Sequence, residues 1–136
     1  MHIIAQQDAR LLLWASLRLG MKWESSQVRW LGGIRDGSLV FVVVYSRFSP
    51  RNCELTIATD GTAKWATRTS LKAIFYQPFE LWKLRRVTFV VQSDNVKSLK
   101  MMRQLGAVGE GLCRHTFGEH VDAVVFGMLK EECKWL

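Results

Sequence analysis

Apolar and polar residues alternate along this chain with two different periods, and the periods divide it into elements. The segment "SLVFVVVY" runs without a polar break from Val40 to Tyr45 and is rich in β-branched and aromatic residues, which suits a strand buried on both faces. From Thr67 to Trp82 the apolar positions are Leu71, Ile74, Phe75, Pro78, Phe79 and Trp82. Their spacing marks one face of a helix, and Pro78 should kink that helix or end its first part. "RRVTFVVQ" reads as another buried-type strand. A second clear helix spans Asn95 to Leu105, with Val96, Leu99, Met102 and Leu105 turned inward and Gly106 ending it.

The weaker patterns fill the rest. "MHIIAQ" predicts a short edge strand. Asp8 caps a helix over "ARLLLWASLRLG" that stops at Gly20. "QVRWLGGIRDGSLVFVVVY" reads as a hairpin turning at Asp36-Gly37, a good tight-turn pair. "CELTIAT" is a strand, broken by "DGTAKW", and "AVGEGLCRHTF" and "HVDAVVFGML" form a closing pair of strands. The order is β-α-ββ-β-α-β-α-ββ. It predicts an α/β chain with a mixed sheet covered by helices, in one domain over residues 1–136.

Composition changes this picture in three ways. No apolar run is long enough to cross a bilayer, and no signal peptide is visible, so neither membrane nor secretion is expected. The three cysteines, Cys53, Cys113 and Cys133, form no close pair; a reduced, cytoplasmic chain without a metal site is the natural reading. The net charge of +7 favours an anionic partner, whether nucleic acid, acidic protein or a phosphorylated cofactor.

Candidate chemistry gathers at two strand-to-helix junctions. In "TIATDGTAKWATRTSLK" a strand gives way to a loop and then a helix near Ala66, flanked by Lys64 and Arg68. The first amides of a helix lack internal partners, so such an end can hold phosphate oxygens, or it can be an ordinary turn capped by Thr67 or Thr69. At "SDNVKS" Ser93 or Asp94 can cap the next helix, with Asn95 and Ser98 in its first turn. Both junctions lie at carboxyl ends of neighbouring strands, where open sheets bind ligands. Together they can line one groove for a ligand with phosphates at one end and amides along its length.

The segment "FELWKLRRVTFVVQSDNVKSLKMMRQLGAVGEGLCR", followed by "DAVVFGMLKEE", resembles the second half of a GNAT-fold N-acetyltransferase. It is most similar to the subgroup that includes the ribosomal-protein N-terminal acetyltransferases. In that subgroup a strand is followed by Asn-x-x-Ser, a helix, Leu-Gly-Phe and Glu-Gly. Here these read as Asn95, Ser98, Leu105-Gly106-Ala107 and Glu110-Gly111, and the motif resemblance covers roughly residues 54 to 130.

The resemblance implies a mostly antiparallel sheet of about six or seven strands, with a splayed parallel pair in its middle and helices on both faces. Acetyl-CoA would enter the splay. A strand amide near Ile57 or Thr59 would polarise the thioester carbonyl. The loop holding Ala63, Lys64, Trp65, Ala66, Thr67 and Arg68 would bind the pyrophosphate. Asn95 would meet the pantetheine arm, with Ser98 close by. The chain departs from the family pattern twice. Both glycines of the phosphate loop are missing, and Met102 stands where many members carry the tyrosine that protonates the departing thiolate.

Glu54 is the first candidate for the base that accepts the amine's proton, with Glu119, His120, Asp122 and His115 behind it. Lys97, Lys100 and Arg103 either attract the charges of CoA or simply face solvent. Trp14, Trp23, Trp30 and Phe48 either line the acceptor pocket or pack the core. The leading expectation is an N-acyltransferase moving acetyl from acetyl-CoA directly to a primary amine of a protein or small molecule. Two alternatives are a degenerate GNAT fold that binds CoA or a protein without catalysis, and a basic RNA-associated module.

Overall fold

The computed structural model describes residues 1–136. The strands are β1 (His2–Ile4), β2 (Arg29–Arg35), β3 (Ser38–Ser46), β4 (Asn52–Thr59), β5 (Arg86–Gln92), β6 (Val108–Gly118) and β7 (Val121–Leu129). The helices are α1 (Ala9–Leu19), α2 (Arg68–Tyr76) and α3 (Val96–Leu105). The order matches the sequence pattern. Asp8 caps α1 through the Arg10 N–H, and Gly20 ends it at φ 64°. Asp36 and Gly37 both take positive φ, 53° and 78°, as a two-residue hairpin turn of this kind requires.

All seven strands form one sheet, ordered β1-β2-β3-β4-β5-β7-β6. Every neighbouring pair is antiparallel except β4 and β5. The α1 helix covers β2, β3 and β4 on one face, where Leu11, Leu12 and Ala15 pack with Trp30, Val42, Val44 and Ala58. The α2 and α3 helices cover the other face with a larger core that includes Phe41, Tyr45, Phe75, Phe79, Phe89 and Met128. This explains the unbroken apolar run of β3, since both of its faces are covered. In β5, by contrast, burial alternates: Val87, Phe89 and Val91 are buried, Thr88 and Val90 only half so. No helix covers β5 and β7 on the α1 side, so that face of the sheet stays open.

The helical pattern over 67–82 is broken where Pro78 lies. Regular α-helix stops at Tyr76 and a single π-helical turn, Gln77–Leu81, follows. Proline has no N–H, so the carbonyl of Ile74, four residues earlier, loses its helical donor. The buried Tyr45 hydroxyl donates to that carbonyl at 2.6 Å instead. Replacing Tyr45 with Phe should therefore cost about 1–3 kcal/mol, because it orphans a buried acceptor. A second change, Pro78→Ala, restores an N–H and should recover part of the loss. Equilibrium denaturation of the single and double variants measures this coupling. Equal effects of Pro78→Ala with and without the Tyr45 hydroxyl would disprove the link.

At the other sheet edge, Val108 to Gly118 are all exposed, so β6 contributes little to the core. Val96 was expected to face inward but is 74% exposed. Only the second half of α3, through Met102 and Leu105, reaches the core fully. Trp30 is core, and the half-buried Trp14 of α1 and Trp23 pack against the same cluster. Phe48 lies half-exposed with its ring edge-on to Trp82, at 5.5 Å between centroids.

Candidate active site

The parallel ladder between β4 and β5 is short. Asn52 pairs with Arg86, Cys53 with Val87 and Glu54 with Thr88, and the pairing ends there. Both strands continue, β4 to Thr59 and β5 to Gln92, so they part into a V in the middle of the sheet.

The hydrogen bonds of the outer neighbours show which backbone groups face the V. The Asp60 N–H donates to the Val40 carbonyl at 3.0 Å, and the β3–β4 register runs unbroken from Glu54–Ser46 to Thr59–Phe41. Bonded and non-bonded pairs alternate along an antiparallel ladder. The even-numbered residues of β4 therefore bond to β3, and Ile57 and Thr59 turn their peptide groups into the V. On the other arm, the Ser93 N–H donates to the Asp122 carbonyl and the Lys130 N–H to that of Arg85, which assigns the odd residues of β5 to β7. Val90 and Gln92 then face the V from the opposite side. The resemblance implies a strand amide near Ile57 or Thr59 and gives no sign of Val90 and Gln92. Their signal is the paired-strand register, which is set by tertiary structure.

Glu54 sits at the crotch of the V. Strand alternation puts its side chain on the α1 side with Thr56 and Ala58, beside the uncovered face of β5 and β7. Its only ion pair is with the exposed Arg47, at 3.5 Å. Its neighbour Cys53 points into the core, where burial pushes the thiol up to about 12, so it stays protonated and inert at neutral pH. On the same open face Arg86 grips Glu110 through two hydrogen bonds, of 3.0 and 2.5 Å, directly over Gly127. A Cβ at Gly127 would collide with both side chains. The pair holds the Glu110 carboxyl below its ordinary range. Arg86 also donates to Thr88, which donates to Asn52. This chain of contacts ties β6, β5 and β4 together beside the V.

The loop beyond β4 is folded on itself. The Gly61 N–H donates to the Thr59 hydroxyl, the Thr62 N–H to the Asp60 carboxylate and the Lys64 N–H to the Thr62 hydroxyl. The Thr62 hydroxyl and N–H both donate to the Asp60 carboxylate and lower its pKa. The Ala66 N–H donates to the Ala63 carbonyl. Thr67 is the cap of α2: its hydroxyl accepts the Ser70 N–H, and Ser70 returns the bond to the Thr67 N–H. Arg68 is the exposed first residue of the helix. The resemblance puts Trp65 in the loop that would bind the pyrophosphate. Its indole is 4% exposed and packs on Phe41 of β3, the strand on the far side of β4 from the V. It anchors the loop against β3.

At the second junction the cap is Asn95, not Ser93 or Asp94. Its side-chain oxygen accepts the Ser98 N–H at 3.1 Å. The Ser93 hydroxyl accepts from the Asp122 N–H and ties β5 to β7. Met102, 6% exposed, belongs to the core. Glu119 and His120 are exposed at the tip of the β6–β7 hairpin, where His115 donates its backbone N–H to Asp122. Two surface hollows lie elsewhere, one between β1 and α2 beside Ile3, Lys72 and Tyr76, the other beside Ser26, Phe48 and Trp82.

A mixed sheet whose one parallel pair parts mid-strand, flanked by helices on both faces, is a distinctive arrangement. A spermidine/spermine N-acetyltransferase of Vibrio cholerae superposes with a TM-score of 0.78 over 96% of this chain and 92% of its own, at 16% identity. A ribosomal-protein-S5-alanine acetyltransferase of Vibrio fischeri gives a TM-score of 0.65 over 93% and 72%, at 20% identity. A probable acetyltransferase gives 0.67 over 78% and 64%, at 24% identity. The chain has the GNAT fold. No family model and no curated protein matches it in sequence. Within the GNAT architecture the V is the element that sets β4 and β5 apart from an ordinary sheet. No helix of the chain is long and apolar enough to cross a membrane.

Proposed function

We propose that the chain is an acyl-CoA-dependent N-acyltransferase that passes acetyl from acetyl-CoA directly to a primary amine. The observation that carries this reading is the end of the β4–β5 ladder after Glu54 and Thr88. Peptide groups without a strand partner in mid-sheet call for a ligand that can bond to them. The amide-bearing pantetheine arm has donors and acceptors along its length, matching the peptide groups of Ile57 and Val90 and the N–H groups of Thr59 and Gln92, whose carbonyls already accept from Arg18 and from the Asn95 N–H.

The thioester supplies the activated acyl group. In this reading the Ile57 N–H donates to the thioester oxygen and stabilises the negative charge that develops there. Glu54, on the open face at the crotch, takes the proton of the attacking amine directly or through a water. The new C–N bond forms, the C–S bond breaks, and the sulfur leaves as a thiolate. A thiol has a pKa of about 8.5, so its thiolate leaves without a strong acid, which is consistent with a core methionine at position 102. Asn95 keeps its amide nitrogen outside the chain's own hydrogen bonds and can donate to the arm near α3.

That same buried Met102 favours the second reading, a GNAT fold that holds CoA without transferring from it. Calorimetry with acetyl-CoA, followed by thiol release over a panel of polyamine, lysine and N-terminal peptide amines, separates the two. Binding with amine-dependent thiol release is the expected result. Binding without release on any amine would leave the non-catalytic reading, and absence of binding would end both. N-terminal peptide amines are in that panel because a ribosomal-protein-S5-alanine acetyltransferase is among the similar structures.

A further inference from the structure

The phosphate loop lacks the glycines of its family, and the amides of Gly61, Thr62, Lys64 and Ala66 are already bonded to Thr59, Asp60, Thr62 and Ala63. An anion there loses those four donors and can draw on side-chain charge instead. Two cations from outside it are positioned for this. Arg18, on the last turn of α1, donates its Nε to the Thr59 carbonyl at 2.6 Å. That carbonyl is one of the groups turned into the V. Lys97, in the first turn of α3, donates its Nζ to the Gly61 carbonyl at 2.9 Å. Gly61 follows β4 and Lys97 follows β5, so this contact crosses the mouth of the V.

We propose that Arg18 and Lys97 grip the pyrophosphate of the acyl donor with side-chain charge, in place of the backbone cradle that the missing glycines would have formed. This rests on the acyl-CoA reading above. Each cation is held by one hydrogen bond and keeps its other donors free. Arg18 retains both Nη groups, and the Lys97 ammonium two of its three N–H bonds. Charge-assisted bonds to phosphate are the strong class of hydrogen bond. Long side chains reach past a loop that cannot let backbone approach closely, so glycine is no longer needed. Lys64 and Arg68 stand on the loop itself, and Arg35 donates to the Lys64 carbonyl at 2.8 Å. Against these cations the loop has one carboxylate, Asp60, already turned to Thr62.

Calorimetry on the full chain tests the grip, with CoA and with pantetheine, which lacks the phosphates. Arg18→Gln and Lys97→Gln should each weaken CoA about tenfold, and added salt should weaken it in the wild type. Pantetheine binding should not change in either variant, which shows that the V is intact. Arg103→Gln, on the exposed side of α3, should bind CoA as the wild type does. Wild-type CoA affinity in both variants would overturn the grip while leaving the acyl-CoA reading standing. Equal loss of CoA and pantetheine would overturn it too, since the residues would then act through the loop's fold. A wild type that binds neither compound would overturn both proposals.

Discussion

Changing Glu54 to Gln is expected to lower kcat for amine acetylation by a factor of about 10²–10⁴ while leaving acetyl-CoA affinity nearly unchanged. The split follows from geometry. In the proposed mechanism the donor is bound by peptide groups of Ile57, Thr59, Val90 and Gln92, beyond the point where β4 and β5 part. Glu54 precedes that point, and its side chain stands on the open face where an amine would approach. The substitution keeps its size and removes its ability to take a proton. It also removes an ion pair with Arg47, but Arg47 is largely exposed at 3.5 Å, so stability should change by less than about 1 kcal/mol. Glu54→Asp should recover part of the rate. The decisive measurement is steady-state kinetics at saturating acetyl-CoA. A Gln variant within threefold of the wild type would remove Glu54 from the mechanism.

Much of this architecture is legible in the chain because local rules and tertiary demands agree. The uninterrupted Val40–Tyr45 run reports burial on both faces, and the Asp36-Gly37 pair reports its turn through positive φ. The 67–82 pattern reports one helix face, and Pro78 marks the place where α-helix gives way. Disagreements arise where distant parts decide. Trp65 lies in a stretch that reads as a ligand loop, yet Phe41 on β3 gives its ring a core position. Asn95 wins the cap over Ser93 because Asp122 on β7 takes the Ser93 hydroxyl. Val96 has helical phase but no neighbour, since α3 meets the core only through its later turns. The backbone edges of Val90 and Gln92 carry no composition signal at all. Peptide groups are the same in every residue, and only the register with β7 shows which way they point.

The register also explains why the V needs support from below. Beyond Thr88, β5 has β7 on one side and nothing on the other, so its separation from β4 depends on what packs beneath it. Phe89 and Val91 are the buried residues of that free arm, and the Phe89 ring meets Phe75 of α2 edge-on at 6.4 Å. Phe75 in turn stacks on Phe79 of the π-helical turn at 6.3 Å. The kinked helix thus delivers two aromatic rings under the arm. Phe75→Ala should cost about 3–5 kcal/mol through lost burial and the cavity left behind. For a chain of this size that corresponds to a fall in Tm of roughly 10–20 °C. Leu31→Ala is the matched comparison: it empties an equally buried site on β2, two strands away from the V. Both variants should lose stability, but only Phe75→Ala should also weaken acetyl-CoA, by about tenfold, at a temperature where both remain folded. Equal affinities in the two would mean that the arms of the V hold their spacing without the aromatic floor, and that the parting of β4 and β5 is set by the register with β3 and β7 alone.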